Sequence, residues 1–268
     1  AFSSEFNALN TSNLISFSPN REAYVSYLRH LAVPNGSTGN ENIQKVQPGE
    51  LIFVDFEGKI KKELYWDPFD FTTEQDITSS EAIDRLDVLL KSSIDYRKIS
   101  DVEVGLYLSG GLDSTLIGTL LSADTKIKSF NVDYDDIFDG YKGELKEAKF
   151  SADQINVDLI HKSISFEEFR SIISEYSFLQ DDLIGDEVGI PLYFLGKLTK
   201  LNGLKVVQVG EGADELFYGY EHWLRFVKLY KSIPKFNIVG SKNNFKTHRA
   251  NLLFNIIQNN NPFPGGAI

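Results

Sequence analysis

From Val102 onward, short apolar runs alternate with segments of helical period, and that alternation leaves few folds open. Val104 to Leu108, Ile127 to Asp133, Val157 to Lys162 and Leu204 to Val209 read as strands. Between and after them, Asp113 to Leu121, Glu144 to Ile155, Phe166 to Phe178, Gly189 to Asn202 and Ala213 to Lys231 read as helices. Such an order implies an α/β fold: a parallel sheet with helices on both faces. Ligands of these sheets bind at the carboxyl ends of strands. Two glycine-rich loops, 108–114 and 209–219, each follow a strand, so the chemistry is expected there.

The first loop runs Leu108-Ser109-Gly110-Gly111-Leu112-Asp113-Ser114. Ser109, Gly110 and Gly111 can bring backbone N–H groups close to an anion, and the hydroxyls of Ser109 and Ser114 add donors. The start of the following helix adds partial positive charge. Together these suit phosphate oxygens. Asp113 conflicts with that reading unless a magnesium ion lies between its carboxylate and the phosphates. No Gly-Lys-Ser/Thr ending and no Gly-x-Gly-x-x-Gly follows the strand, which excludes a Walker A loop and disfavours a dinucleotide fold. The plain alternative is a tight turn with an aspartate near a helix start.

The second loop, Val209-Gly210-Glu211-Gly212-Ala213-Asp214-Glu215, sets three carboxylates within five residues. They can be surface charge on a helix's first turn. They can also divide tasks, with Asp214 opposite Asp113 on a metal ion and Glu211 facing a reacting group.

Composition narrows the functions. With 27 basic against 38 acidic residues the net charge is −11, and no basic tract of five occurs, so nucleic acid is not an expected partner. Cysteine is absent, which excludes disulfides, a thiolate nucleophile and a Cys-ligated zinc, and fits a cytoplasmic protein. No apolar run is long enough to span a bilayer, and no signal peptide opens the chain. His30, His161, His222 and His248 form no ligand-spaced pair. Methionine is absent too, the chain opens at Ala1 and it closes on turn chemistry, so a piece of a longer protein is expected.

Before the alternating region, residues 1–68 form a separate, small unit. Asn20 to His30 reads as a helix, and Leu51 to Phe56 and Lys59 to Trp66 as strands joined through Glu57-Gly58. Residues 69–80 are polar and read as a linker, and a helix follows from about Ser80 to Tyr96.

Ser109-Gly-Gly-Leu-Asp-Ser114 resembles the PP-loop of the N-type ATP pyrophosphatases (adenine nucleotide alpha hydrolase-like), in the form found in asparagine synthetases and β-lactam synthetases. The second loop is similar to the Ser-Gly-Glu-Gly-Ser/Ala-Asp-Glu signature of asparagine synthetases, with Val209 in place of that serine and Tyr218 where glycine is common. Lys128 to Val132 resembles the strand whose valine contacts adenine, although Asp133 stands where the family usually has glycine. Asp181-Asp182-Leu-Ile-Gly-Asp186, followed by Ile190-Pro191, resembles the substrate-side segment; those acids can equally be solvent-facing helix caps. Phe2 to Leu9, Val46 to Gly49 and Tyr65 to Pro68 resemble pieces of class II glutamine amidotransferases.

The resemblance implies residues 1–68 as the C-terminal remnant of an Ntn-type glutaminase domain. It implies 69–268 as an asparagine synthetase-type domain, incomplete at its C-terminus and lacking the region that carries the family's lysine. It implies ATP and Mg2+ as ligands. Leu108, Ser109, Gly110, Gly111, Asp113, Ser114, Val132, Val209 and Gly210 are then expected at ATP and pyrophosphate, Asp113 and Asp214 at the metal, Glu211 with Asp113 and Asp214 in catalysis, and Asp181, Asp182 and Asp186 at the substrate. The expected activity is adenylation of a carboxylate, aspartate or a related acid, then transfer of glutamine-derived ammonia supplied by the missing glutaminase part. An acceptor that is a sugar carboxylate or a β-lactam-forming acid, and a non-catalytic nucleotide-binding module, stay open, as does a homodimer.

Overall fold

The computed structural model describes residues 1–232 apart from 35, 68–69, 71–75, 124, 136–142, 187 and 218. Half of the expected linker at 69–80, Tyr218, His248 and the end of the second expected domain therefore lie outside the described residues.

In the first unit, α1 spans Phe6–Thr11 and α2 Arg21–His30. Asn20 caps α2 by accepting the Ala23 N–H, and Leu31 ends it in the left-handed region. Strands β1 (Glu50–Val54) and β2 (Ile60–Leu64) pair antiparallel, Glu50 against Leu64 through Val54 against Ile60. Their turn closes through Gly58 N–H to Asp55 O at 3.0 Å and Lys59 N–H to Asp55 Oδ1 at 2.7 Å. Gly58, at φ 80°, supplies the left-handed residue such a hairpin needs.

The second unit opens with α3 (Ser79–Lys98), whose start is fixed by a capping box between Thr78 and Glu81. Then come β3 (Val104–Tyr107), α4 (Leu112–Leu121), β4 (Lys128–Tyr134), α5 (Leu145–Ile155), β5 (Asp158–Ile164), α6 (Phe166–Leu179), α7 (Gly189–Leu201), β6 (Val206–Gln208), α8 (Ala213–Phe217) and α9 (Glu221–Ser232). The four strands β3–β6 form one parallel sheet in the order β5-β4-β3-β6. The chain steps outward from β3 to β4 and β5, then crosses back to lay β6 on the other side of β3. That reversal of direction beside β3 is where an open α/β sheet makes its crevice.

Helices cover both faces. Ile94 of α3, Leu121 of α4 and Ala152 of α5 pack with Leu106, Leu108, Ile127 and Val157 on one side. Ile164, Ile172 of α6 and Phe194 of α7 pack with Val132 and Tyr134 on the other. Phe130, fully buried in β4, stands at the sheet's centre. Phe130→Ala is expected to lower the unfolding free energy by about 3–5 kcal/mol, because the cavity adds to the lost transfer energy. Urea denaturation measures it, and a loss under about 1 kcal/mol would contradict this packing.

Two expectations need correction. The helix from Ala213 to Lys231 is two helices. Gly219 N–H bonds back to Asp214 O at 3.0 Å, closing α8, and Tyr220 O then accepts from Trp223 N–H at 3.0 Å to start α9. The last of these strands is three residues long rather than six: it pairs with β3 only from Val206 to Gln208. Among the described residues no helix is long and apolar enough to cross a membrane.

Candidate active site

The β3–α4 loop is held by its own small residues. Gly110 takes φ 90°, and its α-carbon lies against the backbone of α5: a β-carbon there would collide with the Glu147 carbonyl carbon and the Ala148 nitrogen. Ser109 Oγ accepts the Gly111 N–H at 3.2 Å and lies 3.0 Å from Ser114 Oγ. Gly111 stands at the N-cap of α4 and offers no side chain to its first turn. The leading N–H groups of a ten-residue helix are thus left to an outside acceptor, with two hydroxyls beside them.

The strand end behind the loop is pinned. Leu108 N–H donates to Phe130 O, and Asn131 Nδ2 donates to Leu108 O, both at 3.0 Å. Since its amide nitrogen is directed at Leu108, Asn131 presents Oδ1 to His161 Nδ1, 2.9 Å away, and the imidazole therefore donates from Nδ1. Burial pushes the His161 pKa down from its ordinary value; Asp133 opposes that shift and Lys149 adds to it.

The β6–α8 loop adjoins the first. A β-carbon on Gly210 would come within 2.8 Å of Ser114 N and 3.2 Å of Asp113 Cβ, so only glycine lets the two loops touch. Gly212, at φ 92°, turns the chain into α8. Asp214 directs Oδ1 at the α-carbon of Gly219, in the corner between α8 and α9. Tyr220 donates to Glu215 Oε1 at 2.7 Å; that bond first, then desolvation and the charges of Glu215, Asp214 and Glu211, push its phenol up to about 12.

Between the loops and α7 lies a cleft of about 330 Å³. Ser109 and Ser114 form one polar end, Glu211 stands on the second loop, and Val132, Ile164, Pro191, Leu192 and Leu195 give apolar walls. Asp133 and Glu144 occupy a further rim. Burial raises the Glu144 pKa, with Asp133 and then Glu147 adding to the shift.

Of the residues singled out from the sequence, Leu108, Ser109, Ser114, Val132, Val209, Gly210 and Glu211 line this cleft. Gly110 and Gly111 belong to the loop at its edge, and Asp113 and Asp214 lie in the first turns of α4 and α8. Asp181, Asp182 and Asp186 do not line it. Asp181 accepts the Phe6 and Asn7 N–H groups at the start of α1, Asp182 pairs with Lys45 at 2.5 Å, and Asp186 accepts the Val188 N–H at 2.9 Å. Asp181 and Asp182 join the first unit to the second, and Asp186 bonds within the segment that leads into α7. Asn131 was not singled out, although a signal existed: Ser129, Asn131 and Asp133 are polar at period two in a strand buried on both faces.

The donor set suits a hard cation. Asp113 and Asp214 stand in the first turns of the helices that follow the two touching loops, and Mg2+ takes one or two carboxylates together with phosphate oxygens. Among the described residues no cluster of three or more His, Cys, Asp or Glu forms a complete metal cage.

Residues 85–259 match the family model for asparagine synthase. The chain is 33% identical over 203 residues to asparagine synthetase [glutamine-hydrolyzing] 1 of Bacillus subtilis, covering 75% of this chain and 31% of that protein. It is 29% identical over 230 residues to a Methanocaldococcus jannaschii protein provisionally named asparagine synthetase [glutamine-hydrolyzing] 2, covering 83% of this chain and 43% of that one. It thus spans less than half the length of either relative. An NH3-dependent NAD synthetase from Campylobacter jejuni aligns over 54% of this chain and 61% of its own, with 20% identity and a TM-score of 0.33, too slight a likeness to add to the topology above. With the family match running through both loops and across more than half of its residues, this chain belongs to the asparagine synthase family.

Proposed function

We propose that this chain is the ATP-dependent synthetase part of a glutamine-dependent amidotransferase. The observation that carries the reading is the uncapped start of α4, with the Ser109 and Ser114 hydroxyls, opening into a cleft whose far walls are apolar. Such a cleft suits a phosphate tail at one end and a purine at the other. A substrate carboxylate, from aspartate or a related acid, attacks the α-phosphorus of ATP; the bond to the β-phosphate oxygen breaks, giving acyl-AMP and pyrophosphate. Ammonia then attacks the acyl carbon and AMP leaves, yielding the amide. Glu211, on the loop facing the cleft, takes the proton that the attacking ammonia sheds.

The donors of Ser109, Gly110, Gly111, Ser114 and the first turn of α4 hold the departing pyrophosphate. Leu108, Val132, Val209 and Gly210 border the nucleoside. Asp113 and Asp214 would hold Mg2+, which when bound neutralises charge on the leaving diphosphate. Residues 1–68 are read as the closing part of a glutaminase domain and 69–268 as the synthetase domain, in a cytoplasmic protein. The sequence contains no cysteine, so a thiolate for glutamine hydrolysis comes from none of these 268 residues.

ATP–pyrophosphate exchange in the full-length protein, run against a panel of carboxylic acids, tests this. Acceptor-dependent exchange that requires Mg2+ is the expected result. Nucleotide binding that ignores Mg2+ and supports no exchange with any acid would instead mark a non-catalytic module.

A further inference from the structure

The cleft holds a charged side chain that the chemistry above does not use. Asp133 is 8% exposed and lies on β4 one residue beyond Val132. Its Oδ1 accepts the Tyr134 N–H at 2.8 Å. Its Oδ2 rests against the α-carbon of Gly143 and has no hydrogen-bond donor among the described residues. Among those residues every side-chain oxygen wholly shut away from solvent has a partner. Asp133 borders the cleft. A carboxylate so enclosed, with one backbone donor, is short of hydrogen bonds until a ligand supplies another.

The chemistry of that ligand portion follows from the neighbours. Glu144 shares the rim, Glu147 lies behind it, and no ion pair to Asp133 occurs among the described residues. His161, close enough to feel the charge of Asp133, is pushed toward its neutral form by burial. An acidic rim repels phosphate, so the phosphates belong at the Ser109–Ser114 end, and whatever meets Asp133 brings a neutral O–H or N–H donor. On a nucleoside triphosphate those donors are the ribose hydroxyls and the exocyclic amine of the base.

We propose that Asp133 is a specificity-determining residue for the nucleoside, its free oxygen accepting a hydrogen bond from a sugar hydroxyl or the base amine of the bound nucleotide. This rests on reading the cleft as the ATP site. The test is calorimetric titration of the full-length protein and of Asp133→Ala with Mg·ATP, 2′-deoxy-ATP, 3′-deoxy-ATP, a purine riboside triphosphate lacking the 6-amine, and inorganic tripolyphosphate. Loss of a hydrogen bond to a buried charge is expected to weaken ATP about 10- to 100-fold. Tripolyphosphate affinity is expected to stay unchanged. One analogue should already bind the wild-type protein weakly and be indifferent to the substitution, and which one it is identifies the donor. Equal weakening of ATP and every analogue, or no weakening of ATP, overturns the proposal. Should Asp133→Ala fail to fold, the near-isosteric Asp133→Asn carries the same comparison. Wild-type protein that binds no ATP would instead sink the nucleotide reading itself.

Discussion

Asp113→Ala in the full-length protein lowers acceptor-dependent pyrophosphate exchange by about 100-fold or more, and Asp214→Ala does the same, as expected when charge stabilisation of a leaving diphosphate is lost. The cause is electrostatic. Asp113 lies in the first turn of α4, the helix whose start is offered to phosphate, where an unshielded carboxylate would oppose the ligand. A divalent ion turns that repulsion into a bridge. Gly210 brings the second loop against Asp113, and Asp214 follows on that loop's helix. If both acids serve one ion, the double variant loses little more than either single one, because the first substitution already removes the shared interaction. Wild-type exchange by Asp113→Ala, or fully multiplicative losses in the double variant, would separate the two acids and end the shared-ion account.

Gly110→Ala is expected to cost about 2–4 kcal/mol of stability, from strain at a left-handed residue plus overpacking, and to abolish tight pyrophosphate binding. At φ 90° an L side chain is strained, and the new methyl group would be driven into the backbone of α5 at Glu147 and Ala148, which cannot rotate aside. The loop must either lift from α5 or push the helix away, and both moves separate the Ser109 and Ser114 hydroxyls from the start of α4. Gly111→Ala is the matched control. Its φ of −67° is ordinary, and the nearest neighbour of an added β-carbon is Ser109 Oγ at 3.4 Å, so the loss should stay near about 1 kcal/mol. Thermal melts with and without pyrophosphate measure both; equal losses at the two positions would show that close approach to α5 is not the reason for glycine at 110.

The alternation of short strand-like runs with helical periods made β3, β4 and β5 legible to within a residue or two. The break between α8 and α9 was not legible. Apolar spacing continues across Gly219, and only its bond back to Asp214 shows the helix ending there. Strand order was not legible either: alternation requires crossovers but does not say that β6 returns to the flank of β3. Asp181 and Asp182 show the limit of reading acids by type. A carboxylate that accepts backbone N–H groups from α1 and one that would grip a substrate have the same letter in the sequence. Asn131 was hidden for the opposite reason, since its importance lies in the carbonyl it holds rather than in any motif.

Laying β6 beside β3 joins segments separated by about a hundred residues, and closing so long a loop carries an entropic cost that neither strand meets alone. On a ribosome, the bend before α4 emerges well before β6 exists. If that bend holds diphosphate as proposed, a ligand bound during synthesis favours the arrangement with β6 in place, acting as a late latch on the shortest of the four described parallel strands.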